Sequence, residues 1–240
     1  MGRRVRIIGG GRAGRSFRSA LAAAGWETAE PWGRTDDAAA AAHGADVVII
    51  ATPDAAIASV AASIEPVDDC VVVHLSGALG LGPLAGHPRR AVVHPLVALP
   101  DGDRGAARLH GAWFGLSTHG DPLADEIVAS LEGRPIRVSE GDWAIYHASA
   151  VIASNHLVAL LGQAERVAGS IGVPLGALLD LARGSFEDVV ALGPAAALTG
   201  PVRRGDMATV QRHLDALPDD EREAYRAMAR QAARLVPPPG

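Results

Sequence analysis

Over the first 140 residues, apolar positions fall in short dense runs separated by turn signals. Val5, Ile7 and Ile8 lead into a glycine cluster, and an Ala/Leu-rich pattern follows from Ser16 to Ala24. That order predicts a strand, a tight turn and a helix closed by Gly25. A second strand is expected over 26–32, then an Ala-rich helix over 37–43 capped by Asp36. Residues 46–51 form a near-continuous apolar run, as in a strand buried on both faces. Thr52, Pro53 and Asp54 end it, and 55–64 reads as helix. Further strands are expected at 71–74, 90–94, 112–116 and 136–138, with a helix over 122–131. Strands alternating with helices predict an α/β fold with a doubly wound, mostly parallel sheet.

Near Glu140 the pattern changes to helix alone: 142–168, 175–191, 206–217 and 219–235, punctuated by Pro174, Gly193, Pro194, Gly200, Pro201 and Pro218. Two domains follow from this, a dinucleotide-binding domain over 1–140 and an all-α substrate or dimerisation domain over 141–240. Residues 143–164 carry no formal charge, which is compatible with a membrane span. His147, Ser149, Ser154, Asn155, His156 and Gln163 interrupt the run, so the expectation is a helix buried in a domain or dimer interface, with no membrane partner.

Composition narrows the chemistry. The net charge is −5, which gives no basic surface for nucleic acid. The single cysteine, Cys70, allows no intramolecular disulfide and fits a reducing, cytoplasmic compartment as a buried hydrophobe. No apolar leader precedes the first strand. All 22 basic residues are arginine, so mechanisms built on a catalytic or phosphate-binding lysine are unavailable. No metal-ligand spacing is found, and His43, His87, His110 and His119 are expected to be solvated loop residues.

The glycines at 9, 11 and 14 carry the main functional signal. Gly9 permits the turn, Gly11 lets a pyrophosphate approach the backbone, and Gly14 lets helix and strand pack closely. The phosphates would sit on free N–H groups at the helix start, beside Arg12 and Ala13. The position expected for a ribose-binding acid holds Trp32, and Arg34 and Thr35 come just after it. An arginine there suits the 2′-phosphate of NADP. The competing choice is Glu30 as an NAD-type acid.

Ligands of open parallel sheets bind beyond the carboxyl ends of the strands. Thr52, Pro53 and Asp54 would border the cofactor, and Ser76 and His94 the reacting carbon. A histidine there can protonate or hydrogen-bond an accepting heteroatom, and a serine can orient it. The long helix adds Tyr146, His147, Ser154 and Asn155, of which His147 and Asn155 are about 80° apart on an α-helical wheel. Arg203 and Arg204 could clamp a carboxylate.

These stretches, with His74 to Gly77, His94-Pro95-Leu96, Tyr146 to Ala150 and residues 198–206, resemble the 6-phosphogluconate dehydrogenase-like Rossmann proteins. Within them the chain is similar to short two-domain proteins whose C-terminal helical domain has no assigned function. The resemblance implies an NADP-binding domain, a helical dimerisation domain and a reductase site. Relatives include ketopantoate reductases, pyrroline-carboxylate reductases and prephenate dehydrogenases. In the last, a serine after a strand and the histidine of a His-Pro step contact substrate, in places comparable to Ser76 and His94. Ketopantoate enzymes use a helical-domain lysine, which this chain lacks, so His147 or Asn155 would have to substitute. The leading expectation is a homodimeric NADPH-dependent reductase of a small 2-keto acid such as ketopantoate. The alternatives are reduction of a cyclic imine, and a non-catalytic NADP-binding sensor or partner protein.

Overall fold

The computed structural model describes residues 2–100, 103–118 and 120–237, and divides into two compact units, Met1–Ile152 and Ala153–Gly240. The first unit holds seven strands: β1 (Arg4–Ile8), β2 (Glu27–Thr28), β3 (Val47–Ile50), β4 (Val71–His74), β5 (Arg90–Pro95), β6 (Trp113–Thr118) and β7 (Arg134–Arg137). They form one sheet in the order β2-β1-β3-β4-β5-β6-β7, and every pairing is parallel except β5 with β6. The doubly wound expectation therefore holds, with one reversal that strand content alone does not encode.

Strand alternation sorts the core into two layers. Val5, Ile7, Val47, Ile49, Val71 and Val73 share one cluster with Phe17 and Leu21 of α1 (Arg12–Ala23), Leu109 of α3 (Asp103–Leu109) and Ile127 of α4 (Pro122–Ser130). Ile8, Val48, Ile50 and Val72 face the other way, onto Ile57 and Ala61 of α2 (Asp54–Ser63) and Ala41 and Ala42 of a 3₁₀ turn. Because both faces are covered, all four residues of β3 and of β4 are buried, His74 included.

Several local expectations shift for physical reasons. β2 is only two residues long, because Pro31 has no N–H for the ladder; Trp32 rejoins it through a single parallel bridge to Ile8. The Ala-rich segment forms a 3₁₀ helix, Ala38–Ala42, capped by Asp37, whose side chain accepts from the Ala39 N–H at 3.2 Å. Asp36 instead accepts from the Gly33 N–H at 2.6 Å. His87 is not solvated but buried, with Nε2 2.9 Å from the Ala61 carbonyl. His43 and His110 are exposed beside Glu65 and Glu132, and His119 lies outside the described residues. Cys70 is buried as expected, and burial pushes its thiol up to about 12.

The first unit ends in α5 (Trp143–Val151), anchored where Trp143 packs on Leu81 and Val92. A π-helical turn, Ile152–His156, follows it, and α6 (Leu157–Gly169) comes next. The second unit contains α6, α7 (Leu175–Leu192), the short α8 (Pro194–Ala197) and α9 (Gly200–Arg203), α10 (Met207–Ala216) and α11 (Asp219–Ala233). Its small interior holds Val210, Leu214 and Glu221, whose carboxylate lies 2.6 Å from Arg166. The span Glu140–Gly169 is the one described helix long and apolar enough to cross a membrane, and no residue of its apolar window is fully buried in the single chain. Burial within this chain, one of the two expected covers, is thus not what shields it. Leu181, Phe186 and Val190 of α7 are also 64–72% exposed.

Candidate active site

β1 ends at Ile8, and Gly9 turns the chain with φ +111°, a region that side chains with a Cβ rarely adopt. A Cβ on Gly9 would lie 2.6 Å from the Ala51 carbonyl, and one on Gly14 would overlap the Gly9 carbonyl oxygen. Both glycines are required by close approach of β1, α1 and the end of β3. Gly10 and Gly11 have nothing within 4 Å of such a Cβ, so their backbone is open to a ligand. α1 has no side-chain cap at Gly11 and no acid in its first turn, which leaves its N–H groups available to an anion.

The neighbouring residues extend this cradle. Trp32 donates its N–H to Ile7 O at 2.7 Å and accepts from the Gly9 N–H at 2.8 Å, so the end of β2 is held against the turn. Arg34, Thr35 and Arg12 are exposed. Glu30, the competing acid, is 2.8 Å from Arg18. After β3, the Thr52 hydroxyl is buried without a hydrogen-bond partner, while Pro53 and Asp54 start α2 in the open. A buried, unsatisfied hydroxyl beside an open glycine turn fits a ligand hydroxyl or phosphate oxygen.

At the next strand ends the polar side chains divide into supports and a convergent group. His74 accepts from the Ser76 N–H at Nδ1 (3.2 Å) and reaches the Gly80 carbonyl through Nε2 (2.9 Å), so its ring is fully used. Ser76 Oγ accepts from the N–H groups of Ala78 and Leu79 at 3.1 and 3.3 Å. These bonds fix a turn that carries Gly77. Above Gly77 lie two more rings: an added Cβ would be 2.5 Å from His147 Nδ1 and 2.6 Å from His94 Nε2. The two imidazoles are 6.0 Å apart at a steep angle, and His147 Nδ1 is buried without a partner.

The other nitrogen of His94, Nδ1, lies 2.9 Å from the Tyr146 hydroxyl. The sequence marks Tyr146 as a polar residue of the long helix and part of a family-like stretch, but not its pairing, which depends on β6 placing Gly115 opposite His94. A Cβ at 115 would collide with the phenol oxygen. Burial pushes the Tyr146 phenol up, opposed by the Gly115 N–H. His94 is pushed down to about 4, first by burial and then by the nearby His147, with Asp54 acting in the opposite sense. His94 is therefore neutral at pH 7.

Gly9 to Gly14, Thr52, Asp54, Ser76, His94 and His147 all belong to the first unit, and Ser76, His94 and His147 meet at one turn. Asn155, Arg203 and Arg204 belong to the second unit and are exposed. Asn155 lies in the π turn, where its Oδ1 is 2.9 Å from Ser154 Oγ. The 80° relation to His147 assumed α-helical geometry through Asn155, whereas Ile152–His156 form a π turn, which holds more residues than an α turn. Arg203 and Arg204 end α9; Asp206 is used as the cap of α10, accepting from the Thr209 N–H at 3.0 Å.

Comparison with solved structures places this architecture. Protein TM1727 from Thermotoga maritima is 23% identical, with a TM-score of 0.75 over 96% of this chain and 97% of that one. BF3122 from Bacteroides fragilis is 20% identical, with a TM-score of 0.79 over 97% and 98%. A reductive aminase from Aspergillus terreus, solved with NADPH and ethyl levulinate, is 14% identical, with a TM-score of 0.72 over 98% and 94%. No curated protein matches the chain. Residues 114–232 match the family model described as a domain of unknown function, DUF2520. The chain thus shares the Rossmann-like fold of these solved structures, and its residues 114–232 are similar to the DUF2520 family.

Proposed function

We propose that this protein is an NADPH-dependent reductase acting on a polar double bond of a small substrate, with the carbonyl of a 2-keto acid as the first candidate. The observation that carries the reading is the convergence of His94 Nε2 and His147 Nδ1 above Gly77, on the strand-end edge that also bears the open glycine turn. The dinucleotide pyrophosphate fits the bare N-terminus of α1 at Gly10 and Gly11, and the Thr52 hydroxyl would take a cofactor oxygen. Arg34, with Arg12 and Thr35 nearby, would hold the 2′-phosphate. Bound there, the cofactor supplies a hydride.

The chain's own residues do the rest. Being neutral, His94 can act as an uncharged hydrogen-bond donor to the oxygen on which charge develops. Ser76 and His74 hold the turn beneath it, and His147 offers a second polar contact. Within the second unit, Arg203 or Arg204 is the candidate for a carboxylate and Asn155 the candidate for a polar substrate contact. A second copy of the chain is proposed to cover the apolar surfaces of α6 and α7, since Val158, Phe186 and Val190 are 64–72% exposed.

The likeness to an NADPH-bound reductive aminase favours a second reading, reduction of a carbon–nitrogen double bond. Following absorbance at 340 nm with NADPH or NADH, while adding 2-keto acids and cyclic imines singly, tests both. Consumption of NADPH with a keto acid supports the first reading, and consumption with an imine alone the second. No turnover together with tight NADPH binding would replace both with a nucleotide sensor.

A further inference from the structure

Tyr146 has no part in a simple scheme of cofactor plus histidine, yet its hydroxyl is spent on His94 Nδ1 at 2.9 Å. Its ring stands edge-on to the imidazole and rests on Trp143. The space for its oxygen exists only because residue 115 is glycine. A phenol is a good donor and a poor acceptor toward a neutral imidazole. With its Nδ1 lone pair occupied, neutral His94 must carry its proton on Nε2, the atom that faces the volume above Gly77.

We infer that Tyr146 is a proton-relay and positioning residue, which locks His94 as an Nε2–H donor and protonates Nδ1 as His94 passes its Nε2 proton to the substrate. This rests on the reductase reading above. The charged and titratable groups facing His94 are His74 from β4, Asp54 from α2, and His147 and Tyr146 from α5. Only one is an acid, and it does not touch the ring, so the phenol is the sole hydroxyl donor in contact with Nδ1 among the described residues.

The step balances without a cationic histidine. The carbonyl carbon accepts the hydride, and the π electron pair moves onto oxygen. That oxygen takes the Nε2 proton while Nδ1 takes the phenolic proton. The Nδ1 proton then returns to the phenolate, and Nε2 is reprotonated from water. The net change is one hydride and one water-derived proton added to the double bond. An Nε2–H donor also restricts the substrate: its reacting atom must be an acceptor, either a carbonyl oxygen or an unprotonated imine nitrogen. A preformed iminium would set N–H against N–H.

The test uses the full-length protein and Tyr146→Phe. Long-range ¹⁵N–¹H correlation spectra read the His94 tautomer with no substrate present. The expected result is Nε2–H in the wild type and a mixture of tautomers in Tyr146→Phe. With the carbonyl substrate, kcat should fall at least about 10-fold with KM changed by less than about 2-fold, a modest share of what acid catalysis contributes. The wild-type loss of kcat at alkaline pH should vanish in the variant. If Tyr146→Phe does not fold, fluorotyrosine incorporation in a Tyr225→Phe background should move that alkaline limb to lower pH. A wild-type Nδ1–H tautomer, an unchanged kcat in Tyr146→Phe, or an alkaline limb indifferent to fluorination would overturn the inference. Absence of any turnover in the wild type would instead overturn the reductase reading, and the spectra would still decide the tautomer.

Discussion

Gly77 and His94 make a contact that only glycine allows: a methyl group at residue 77 would stand 2.6 Å from Nε2 of the imidazole and 2.5 Å from Nδ1 of His147. The His94 ring is restrained by its bond to Tyr146, so it cannot retreat without cost. Gly77→Ala should therefore leave NADPH affinity within about 2-fold but reduce kcat at least about 10-fold, the scale of a misplaced catalytic group. Calorimetry and steady-state rates measured on one preparation check this. A variant with wild-type kcat would mean that the space above Gly77 is not where substrate reacts.

His94→Ala removes the donor itself and should lower kcat by about 10², the lower range for a lost acid–base group. His94→Gln keeps an amide N–H and should recover part of that loss. Full activity in the alanine variant would take His94 out of the mechanism.

Arg34 is exposed beside the turn that ends β2. A charge-assisted bond to a phosphate contributes roughly 1.5–3 kcal/mol. Arg34→Ala should thus weaken NADPH by about 10- to 100-fold and leave NADH nearly unchanged. Equal loss with both nucleotides would sink the assignment of the 2′-phosphate.

The buried histidines make stability depend on pH. His74 is pushed below the usual histidine value by burial, and His94 is pushed to about 4. As pH falls through about 6.5 the unfolded chain takes up protons that these two rings refuse in the fold, so stability is complete above that pH and is lost on the way down to about 4. For His94 the loss amounts to at most about 3 kcal/mol. Thermal midpoints should drop between pH 7.5 and 5. Midpoints that stay flat across that interval would show that the folded state accommodates both charges.

Phe186 and Val190 of α7 are 64% and 72% exposed. If a second copy covers them, Val190→Glu should convert a dimer into a monomer in sedimentation experiments at micromolar concentration. A wild-type protein that sediments as a monomer, or one that pellets with lipid vesicles, would remove the dimer from the proposal.

The legible part of the molecule follows from local rules. The spacing of Gly9, Gly11 and Gly14 after a β-branched run is enough to read a strand, a turn and a helix start. The unbroken apolar runs ending at Ile50 and His74 are enough to read strands covered on both sides. His94 was legible because it ends such a strand. What escaped depends on distant partners. His74 and His94 look alike in sequence, yet one is consumed by the Gly80 carbonyl and the Ser76 N–H, and the other is open at Nε2. His87 sits in a segment that reads as loop, but its burial arises from packing beside Ala61 of α2. The pairing of Tyr146 with His94 spans 52 residues and needs the reversed strand β6, which no periodicity signals.

That reversed strand has a consequence for how the protein can vary. By setting Gly115 opposite His94, it lends the volume of an absent side chain to the Tyr146 ring, just as Gly77 lends volume to the imidazoles. Positions 77, 94, 115 and 146 are therefore not independent, and their substitutions should show strong epistasis. Gly115→Ala alone should be destabilising, whereas paired with a shortened residue such as Tyr146→Val it should cost less than the two changes summed. A chain that drifts at one of these positions is thereby constrained in which replacements it can accept at the others, so the group can change only along coordinated paths.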